Sequence, residues 1–501
     1  MSSAGLVVVG ASLAGLRAVE AARVTGYDGK ITLIGAERHS PYDRPPLSKA
    51  FLRDAEPVVP SLTDRQTLSG LDVEVRLGQA ADGLCTERRE VAVGGESVPY
   101  DALVIATGCT PTALPDTGGI PGVHSLRTLD DAHAIRERIA EGTRAVLIGG
   151  GFIGAEVATV LRARGAEVTI VEAAEVPLVR AVGREMAPAL AALHARAGVE
   201  LCCGVSVRGV SDTPGGKRVE LTDGSVLSAD LVLVGIGAKP ATSWLSGSGV
   251  PVSDGVLCDE TLRAVPGVYA AGDVARWHNP LFGTTMRLEN WTAAAELGGA
   301  AGRHAVRPDT AVPVSTVPYF WSDWYGSRIQ MVGVSEADEV RVIGDPDSDS
   351  WAALYRTGDR VVGALTLNQP RRIMKYRAMI VRRASWDTAC EFAGAFAGSG
   401  GASWHCVSQP AARRPRLLRQ RPSFMGRFVP CPHHCLRRVV ALAQAAVVCE
   451  QPHRGHHGSA PDRVRRASSL VRAAGHLPAR AAWLTLTTPP SSPRPRLKEA
   501  Q

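Results

Sequence analysis

The sequence predicts an α/β protein in which two βαβ units interleave and a small α+β unit follows them. Three observations predict it. A strand, glycine turn, helix and second strand occur twice. Further buried-type strands end in tight turns between and after the two copies. Beyond about Val314 the texture changes to short strands separated by turns. The first copy runs Leu6–Val9, Gly10-Ala11-Ser12-Leu13-Ala14-Gly15, an Ala-rich helix to Val24, and Ile31–Ile34. The second runs Ala145–Ile148, Gly149-Gly150-Gly151-Phe152-Ile153-Gly154, a helix to Arg164, and Glu167–Val171. Such a repeat is one supersecondary unit used twice.

The other elements follow in order. Asp101–Gly108 and Asp230–Gly237 are apolar runs closing on glycine, and Gly267–Asp273 is a further strand-like run, followed by a helix from Trp291 to His304. The last unit holds Val317–Trp321, Arg328–Val332, Glu339–Ile343, Ala352–Arg356 and Val361–Thr366, then a helix from Arg371 to Arg383. Periodicity disappears after about Gly400, where Pro, Arg, His and Ser dominate.

Composition agrees with that reading. A chain of 501 residues has room for about three domains. With 45% apolar residues, only 5% aromatic and 52 glycines, it suits α/β layers better than an all-β fold. The opening Met1-Ser2-Ser3-Ala4-Gly5 leads straight into a strand rather than a signal sequence, and no apolar run approaches the ~20 residues that span a bilayer. A cytoplasmic protein with no membrane partner is expected. Ten scattered cysteines, with Cys202-Cys203 adjacent and no Cys-x-x-Cys, read as reduced thiols. The net charge of +7 is a composite: residues 401–501 carry 16 Arg and one Lys against three acids, a surplus of fourteen, which leaves the body at −7.

The glycine turns carry the chemistry. Gly149-x-Gly151-x-x-Gly154 follows a strand and opens a helix, the context in which it cradles a pyrophosphate. Its first glycine makes the turn, the second admits the phosphates, and the third lets helix and strand approach. The phosphates meet the free N–H groups of the helix N-terminus. Glu172 ends the next strand, where a carboxylate accepts hydrogen bonds from a ribose and repels a 2′-phosphate. With Ala173, Ala174 and Glu175 following and no Arg, the coenzyme is read as NADH. The first turn has Ser12 in place of the second glycine, so Gly10-x-Ser12-x-x-Gly15 alone is a weak signal. Glu37 at the end of its second strand restores the dinucleotide reading. Two dinucleotides in one chain pair naturally as FAD and NADH. Pro41-Tyr42-Asp43-Arg44-Pro45-Pro46-Leu47-Ser48-Lys49 reads as a rigid loop entering a helix. By itself its Lys49 is a solvated lysine, just as Glu156 in a first helical turn ordinarily complements the dipole.

Together these motifs resemble the NADH-dependent ferredoxin reductases of bacterial oxygenase systems, the putidaredoxin, rubredoxin and biphenyl-dioxygenase reductase type within the pyridine nucleotide-disulfide oxidoreductases. The matching residues run from Val7 to about Phe392. They include Gly10–Gly15, Ile34–Glu37, Arg44–Lys49, Ala106–Gly108, Leu126–Ala132, Gly149–Glu156, Gly235-x-Gly237, Ala271–Asp273, Arg287-x-Glu289-x-Trp291, Val317–Asp323, Ile329–Gly333 and Asn368-x-Pro370. The resemblance implies two interleaved Rossmann-like domains of the glutathione-reductase kind plus a C-terminal α+β domain. Residues 1–109 and 238–313 would bind FAD, 110–237 NADH, and 314–395 would form the third domain. It implies that Ala14 and Glu37 hold the adenosine half of FAD, with a backbone contact from Ala81. Arg44 and Arg127 also belong to the FAD side, and Asp273 would bind the ribityl chain. Trp291 would lie under the pyrimidine end of the ring, and Trp321 would approach it from the third domain. Lys49 would lie beside the flavin and pair with Glu156 as the catalytic couple, while Gly149, Gly151, Ile153, Gly154, Glu172 and Gly237 would take NADH.

No cysteine lies between Glu37 and Arg53, so the thiol relay of the related disulfide reductases is missing and no cluster-binding Cys spacing replaces it. Electrons would leave singly for a separate 2Fe–2S ferredoxin and, through it, a haem or non-haem oxygenase. The competing readings are an NADH oxidase and a regulatory flavoprotein similar to apoptosis-inducing factor. Residues 396–501 extend beyond the family pattern. They are read as an unstructured or out-of-frame extension rather than a nucleic-acid arm, and Cys431, His433, His434 and Cys435 lack the second ligand pair of a zinc site. Neither metal nor nucleic acid is expected.

Overall fold

The computed structural model describes residues 4–395 and 404–408, which fall within one compact unit. Its first layer is a sheet whose parallel strands lie in the order Val73–Leu77, Ile31–Gly35, Gly5–Val9, Glu96–Ile105 and Val268–Ala270. Strand Gly5–Val9 is buried along its whole length, which is why it reads as an uninterrupted apolar run rather than an alternating one. Neighbours leave it in opposite directions, and the crevice at its carboxyl end is where ligands of such sheets bind. Glu96–Ile105 starts earlier than the apolar run suggests. Its front half pairs antiparallel with Glu90–Val93 and lies in a small meander that includes Ala81–Cys85.

The second unit repeats the plan. Glu200–Cys203, Glu167–Glu172, Arg144–Ile148, Leu231–Val234 and Val123–His124 form a parallel sheet with Arg144–Ile148 at its centre. An antiparallel meander of Val207–Thr213, Gly216–Leu221 and Val226–Ala229 follows, which alternation alone did not reveal. The chain crosses between the units at the paired strands Cys109–Pro111 and Ala238–Pro240.

The third unit is an antiparallel sheet in the order Tyr319–Trp324, Ser327–Gly333, Arg360–Leu367, Trp351–Thr357, Glu339–Ile343 and Trp404–Ser408, with helices Pro370–Val381 and Trp386–Gly394. The last strand falls inside the segment expected to lack structure. Its backbone pairs with Glu339–Ile343, so the sheet extends past the expected boundary at residue 395 because an otherwise open edge offers it a ladder. The rest of that segment, with its Cys/His cluster, lies outside the described residues.

Contacts between the units place the site. Leu47 from the proline loop of the first unit, and Phe51 and Leu52 from the short helix Ala50–Arg53 that follows it, are 2% exposed or less. They pack in the core of the second unit with Leu129, Ile135, Val157 and Leu161. Trp324, Ile329, Trp351 and Tyr355 of the third unit pack against Ala155, Val182, Met186 and Leu190 of the second. No helix among the described residues is long and apolar enough to cross a membrane.

Candidate functional site

Both glycine turns are sterically locked in the same way. Gly10 has φ +120°, and a Cβ there would lie 2.1 Å from the Ala106 carbonyl oxygen; Gly149 has φ +104°, with the Gly235 oxygen at 2.3 Å. At the third positions, Gly15 and Gly154 would bring a Cβ to 1.9 and 2.8 Å from the carbonyl oxygens of Gly10 and Gly149. Around Gly151, by contrast, a Cβ would meet nothing within 4 Å, so that side of the turn is open for a ligand.

The helices that follow, Leu13–Val24 and Phe152–Ala163, begin at Ser12 and Gly151. Neither has a side-chain cap or an acid in its first turn; Glu156, read from the sequence as a first-turn acid, is the fifth residue of its helix. Each therefore presents first-turn N–H groups and the positive end of its dipole outward, which is the donor set a pyrophosphate requires. The residues fit two dinucleotides. Glu172 accepts from the backbone N–H of Gly150 at 2.7 Å and of Ala174 at 2.8 Å, which holds its carboxylate beside the second turn. Glu37 takes the corresponding place by the first strand pair and accepts from Arg44 Nη2 at 2.7 Å and from the Tyr42 hydroxyl at 2.5 Å. Burial raises the Tyr42 pKa, so that phenol remains a donor.

A cleft of about 300 Å³ lies between the turns. Of the residues singled out from sequence, Ser12, Ala14, Arg44, Lys49, Arg127, Ile153, Glu156, Asp273, Trp291 and Trp321 all line it. Arg127 Nη2 is 3.2 Å from Asp273 Oδ2. The Trp291 indole N–H donates to Asp43 Oδ1 at 2.6 Å, and burial raises the Asp43 pKa. The Trp291 and Trp321 rings meet edge-on at 6.3 Å. Ala81 is not among the lining residues: it opens a meander strand and packs against the outer core of the first unit. Gly237, at φ +104°, accepts from the Thr112 N–H at 2.9 Å where the chain crosses between units.

At the centre, Lys49 Nζ lies 2.6 Å from Glu156 Oε2, and Glu156 is 6% exposed. Sequence reasoning missed the residues that complete this pair. Ser48 donates to the same oxygen, and Ser322 Oγ donates to Oε1 at 2.5 Å. Ser48 and Ser322 lay inside the quoted motifs, but a serine carries no signal of its own until folding brings it to a partner far away in sequence. Cys109, whose Sγ is 3.5 Å from the Asp273 carbonyl oxygen, is buried, and burial pushes its thiol to about 12. Among the described residues, no cysteine lines the cleft.

Comparison with known proteins gives this geometry a lineage. Residues 4–298 match the pyridine nucleotide-disulphide oxidoreductase family, and residues 319–393 match the reductase C-terminal family. The chain belongs to the pyridine nucleotide-disulphide oxidoreductases. Within them it groups with the ferredoxin–NAD(+) reductases, enzymes that use FAD and NAD(H). It is 36% identical over 387 residues to the biphenyl dioxygenase system ferredoxin–NAD(+) reductase component of Paraburkholderia xenovorans, covering 76% of this chain and 94% of that protein. The anthranilate 1,2-dioxygenase system ferredoxin–NAD(+) reductase component of Burkholderia cepacia is 34% identical, covering 77% and 96%. Among solved structures, the covalent putidaredoxin reductase–putidaredoxin complex superposes with a TM-score of 0.72 at 31% identity, covering 76% of this chain and 94% of that one. The water-forming NADH oxidase of Lactobacillus brevis, at 20% identity and a TM-score of 0.70, shares the fold.

Proposed function

We propose that this protein is a cytoplasmic reductase that takes electrons from NADH through FAD to a small 2Fe–2S ferredoxin, which feeds a haem or non-haem oxygenase. One observation carries the reading. A lysine–carboxylate pair built from two different units stands between two uncapped helix N-termini, in a cleft that no cysteine among the described residues lines. The relatives named as ferredoxin reductases supply the class of acceptor.

When bound, FAD supplies the ability to accept a pair of electrons and release them one at a time. The chain's own residues do the rest. The first turn and the open N–H groups of Leu13 and Ala14 would bind its pyrophosphate; Glu37, oriented by Arg44 and Tyr42, would receive the adenosine ribose; Asp273 would bind the ribityl chain and Arg127 would contact FAD. The second turn and Glu172 would hold NADH, with Ile153 and Glu156 lining the cleft where it would enter. Lys49 fixes a positive charge in the cleft where negative charge develops, worth far more in a closed site than in water. Phe152, Phe320 and Trp321 narrow the cleft against solvent.

The test is direct. Purified protein should be yellow, should bleach anaerobically with NADH, and should reduce cytochrome c rapidly only when a ferredoxin is added. Rapid oxygen consumption without any ferredoxin would overturn the proposal in favour of an oxidase.

A further inference from the structure

Lys49 and Glu156 come from the first and second units, and the third unit sends Phe320 and Trp321 to the cleft beside them. The hydrogen bonds around Glu156 assign it more. We infer that Ser322 is a positioning residue for the Lys49–Glu156 pair, so that the third unit helps to build the nicotinamide site itself; this rests on the proposed reductase function.

Ser322 and Trp324 lie two residues apart on strand Tyr319–Trp324 and so share a face of it. Both are 0% exposed. The Trp324 indole, which can only donate, gives its N–H to Ser322 Oγ at 2.7 Å. The single hydroxyl hydrogen of Ser322 is then left for Glu156 Oε1, 2.5 Å away. The direction of the bond is thereby fixed by chemistry. Trp324 cannot easily turn aside, since it is packed between Phe152 at 5.8 Å and His194 at 5.1 Å between ring centroids. The two oxygens of Glu156 thus divide their work: Oε2 faces Ser48 and Lys49 from the first unit, and Oε1 faces Ser322 from the third. A carboxylate held at one oxygen alone can rotate about its side chain. Held at both by groups on different units, it keeps one orientation and passes that orientation to the Lys49 ammonium.

The experiment compares wild type with Ser322→Ala, Ser322→Thr, Glu156→Gln and the double variant Ser322→Ala/Glu156→Gln in the full-length, FAD-loaded protein. Two quantities are read: the rate of anaerobic flavin reduction by NADH and the flavin midpoint potential. Loss of one hydrogen bond to a charged group should slow reduction about tenfold in Ser322→Ala. It should also lower the midpoint potential, because a less fixed cation favours the reduced flavin less. Ser322→Thr should restore both, since its hydroxyl can take the same partners. In the Glu156→Gln background, Ser322→Ala should add little, as expected for residues acting through one another. Potential and rate equal to wild type in Ser322→Ala, or full additivity with Glu156→Gln, would overturn the inference while leaving the reductase reading intact. A wild-type protein that binds no flavin, or whose flavin NADH does not bleach, overturns both.

Discussion

At the scale of single residues, Glu172 shows how one carboxylate can serve structure and specificity together. It already accepts from the N–H groups of Gly150 and Ala174, so its position beside the second glycine turn, where a ribose is proposed to bind, is set before any coenzyme arrives. A hydrogen bond to a charged group contributes about 1.5–3 kcal/mol. Glu172→Arg should therefore reduce the ratio of kcat/KM for NADH over NADPH about ten- to a hundredfold. Steady-state rates with the two coenzymes check this; an unchanged ratio would remove Glu172 from the specificity argument. Residues of this type were legible in the sequence because their place is fixed by local chain geometry: a glycine turn, a helix, then a strand end. Asp43 was passed over inside a quoted motif, because its partner Trp291 lies far along the chain and nothing near Asp43 announces it.

Elements were legible to the extent that one face or the whole of them is buried. Both glycine turns, the helices behind them and the central strands Gly5–Val9, Ile31–Gly35, Arg144–Ile148, Glu167–Glu172, Leu231–Val234 and Val268–Ala270 appear where apolar periodicity puts them, whereas the outer strands Val73–Leu77, Glu200–Cys203 and Val123–His124 were not foreseen. The meander Val207–Thr213, Gly216–Leu221 and Val226–Ala229 was not foreseen, since much of its surface is polar and exposed and it forms no continuous apolar run. Helix–helix contact was also hidden. Helix Trp291–Val306 lies against helix Leu13–Val24 through Gly298 and Gly302, whose Cβ atoms would fall 2.3 and 2.1 Å from the carbonyl oxygens of Ala14 and Ala18. Neither glycine has the positive φ that marks a turn, so close approach is the reason for both. Gly298→Ala must push the helices apart at the cleft-lining Ala14 and should cost about 1–3 kcal/mol. Thermal melts of the FAD-loaded protein should show a lower Tm with weakened flavin retention; an unchanged Tm would mean that the two helices slide freely.

At the scale of the whole molecule, the third unit is joined to the second through a buried histidine. His194 Nδ1 is 2.8 Å from the Tyr325 hydroxyl, and Nε2 has no partner among the described residues. Burial lowers its pKa from 6.5 to about 4. The unfolded chain then binds a proton here before the folded one does. The stability this residue contributes is complete above about pH 6.5 and is lost as pH falls towards 4, up to about 3 kcal/mol. His194→Asn, which keeps a donor for Tyr325, should flatten the fall of Tm between those pH values. Parallel curves for wild type and variant would show that the proton enters elsewhere. The number of units and their order could be read from the sequence, but this interface could not, because it joins residues 131 positions apart with no local pattern.

The interleaving of the two units has a consequence for how the protein is made. Strand Val268–Ala270 pairs with Glu96–Ile105, and Asp273 and Trp291 complete the cleft, yet the ribosome delivers Val268–Ala270, Asp273 and Trp291 only after the entire second unit has been synthesised. A nascent chain that has extruded the first turn is therefore still unable to retain flavin. Pigment should be captured late, in one step, as helix Trp291–Val306 leaves the exit tunnel, so chains arrested before that point should be colourless and those arrested well beyond it yellow.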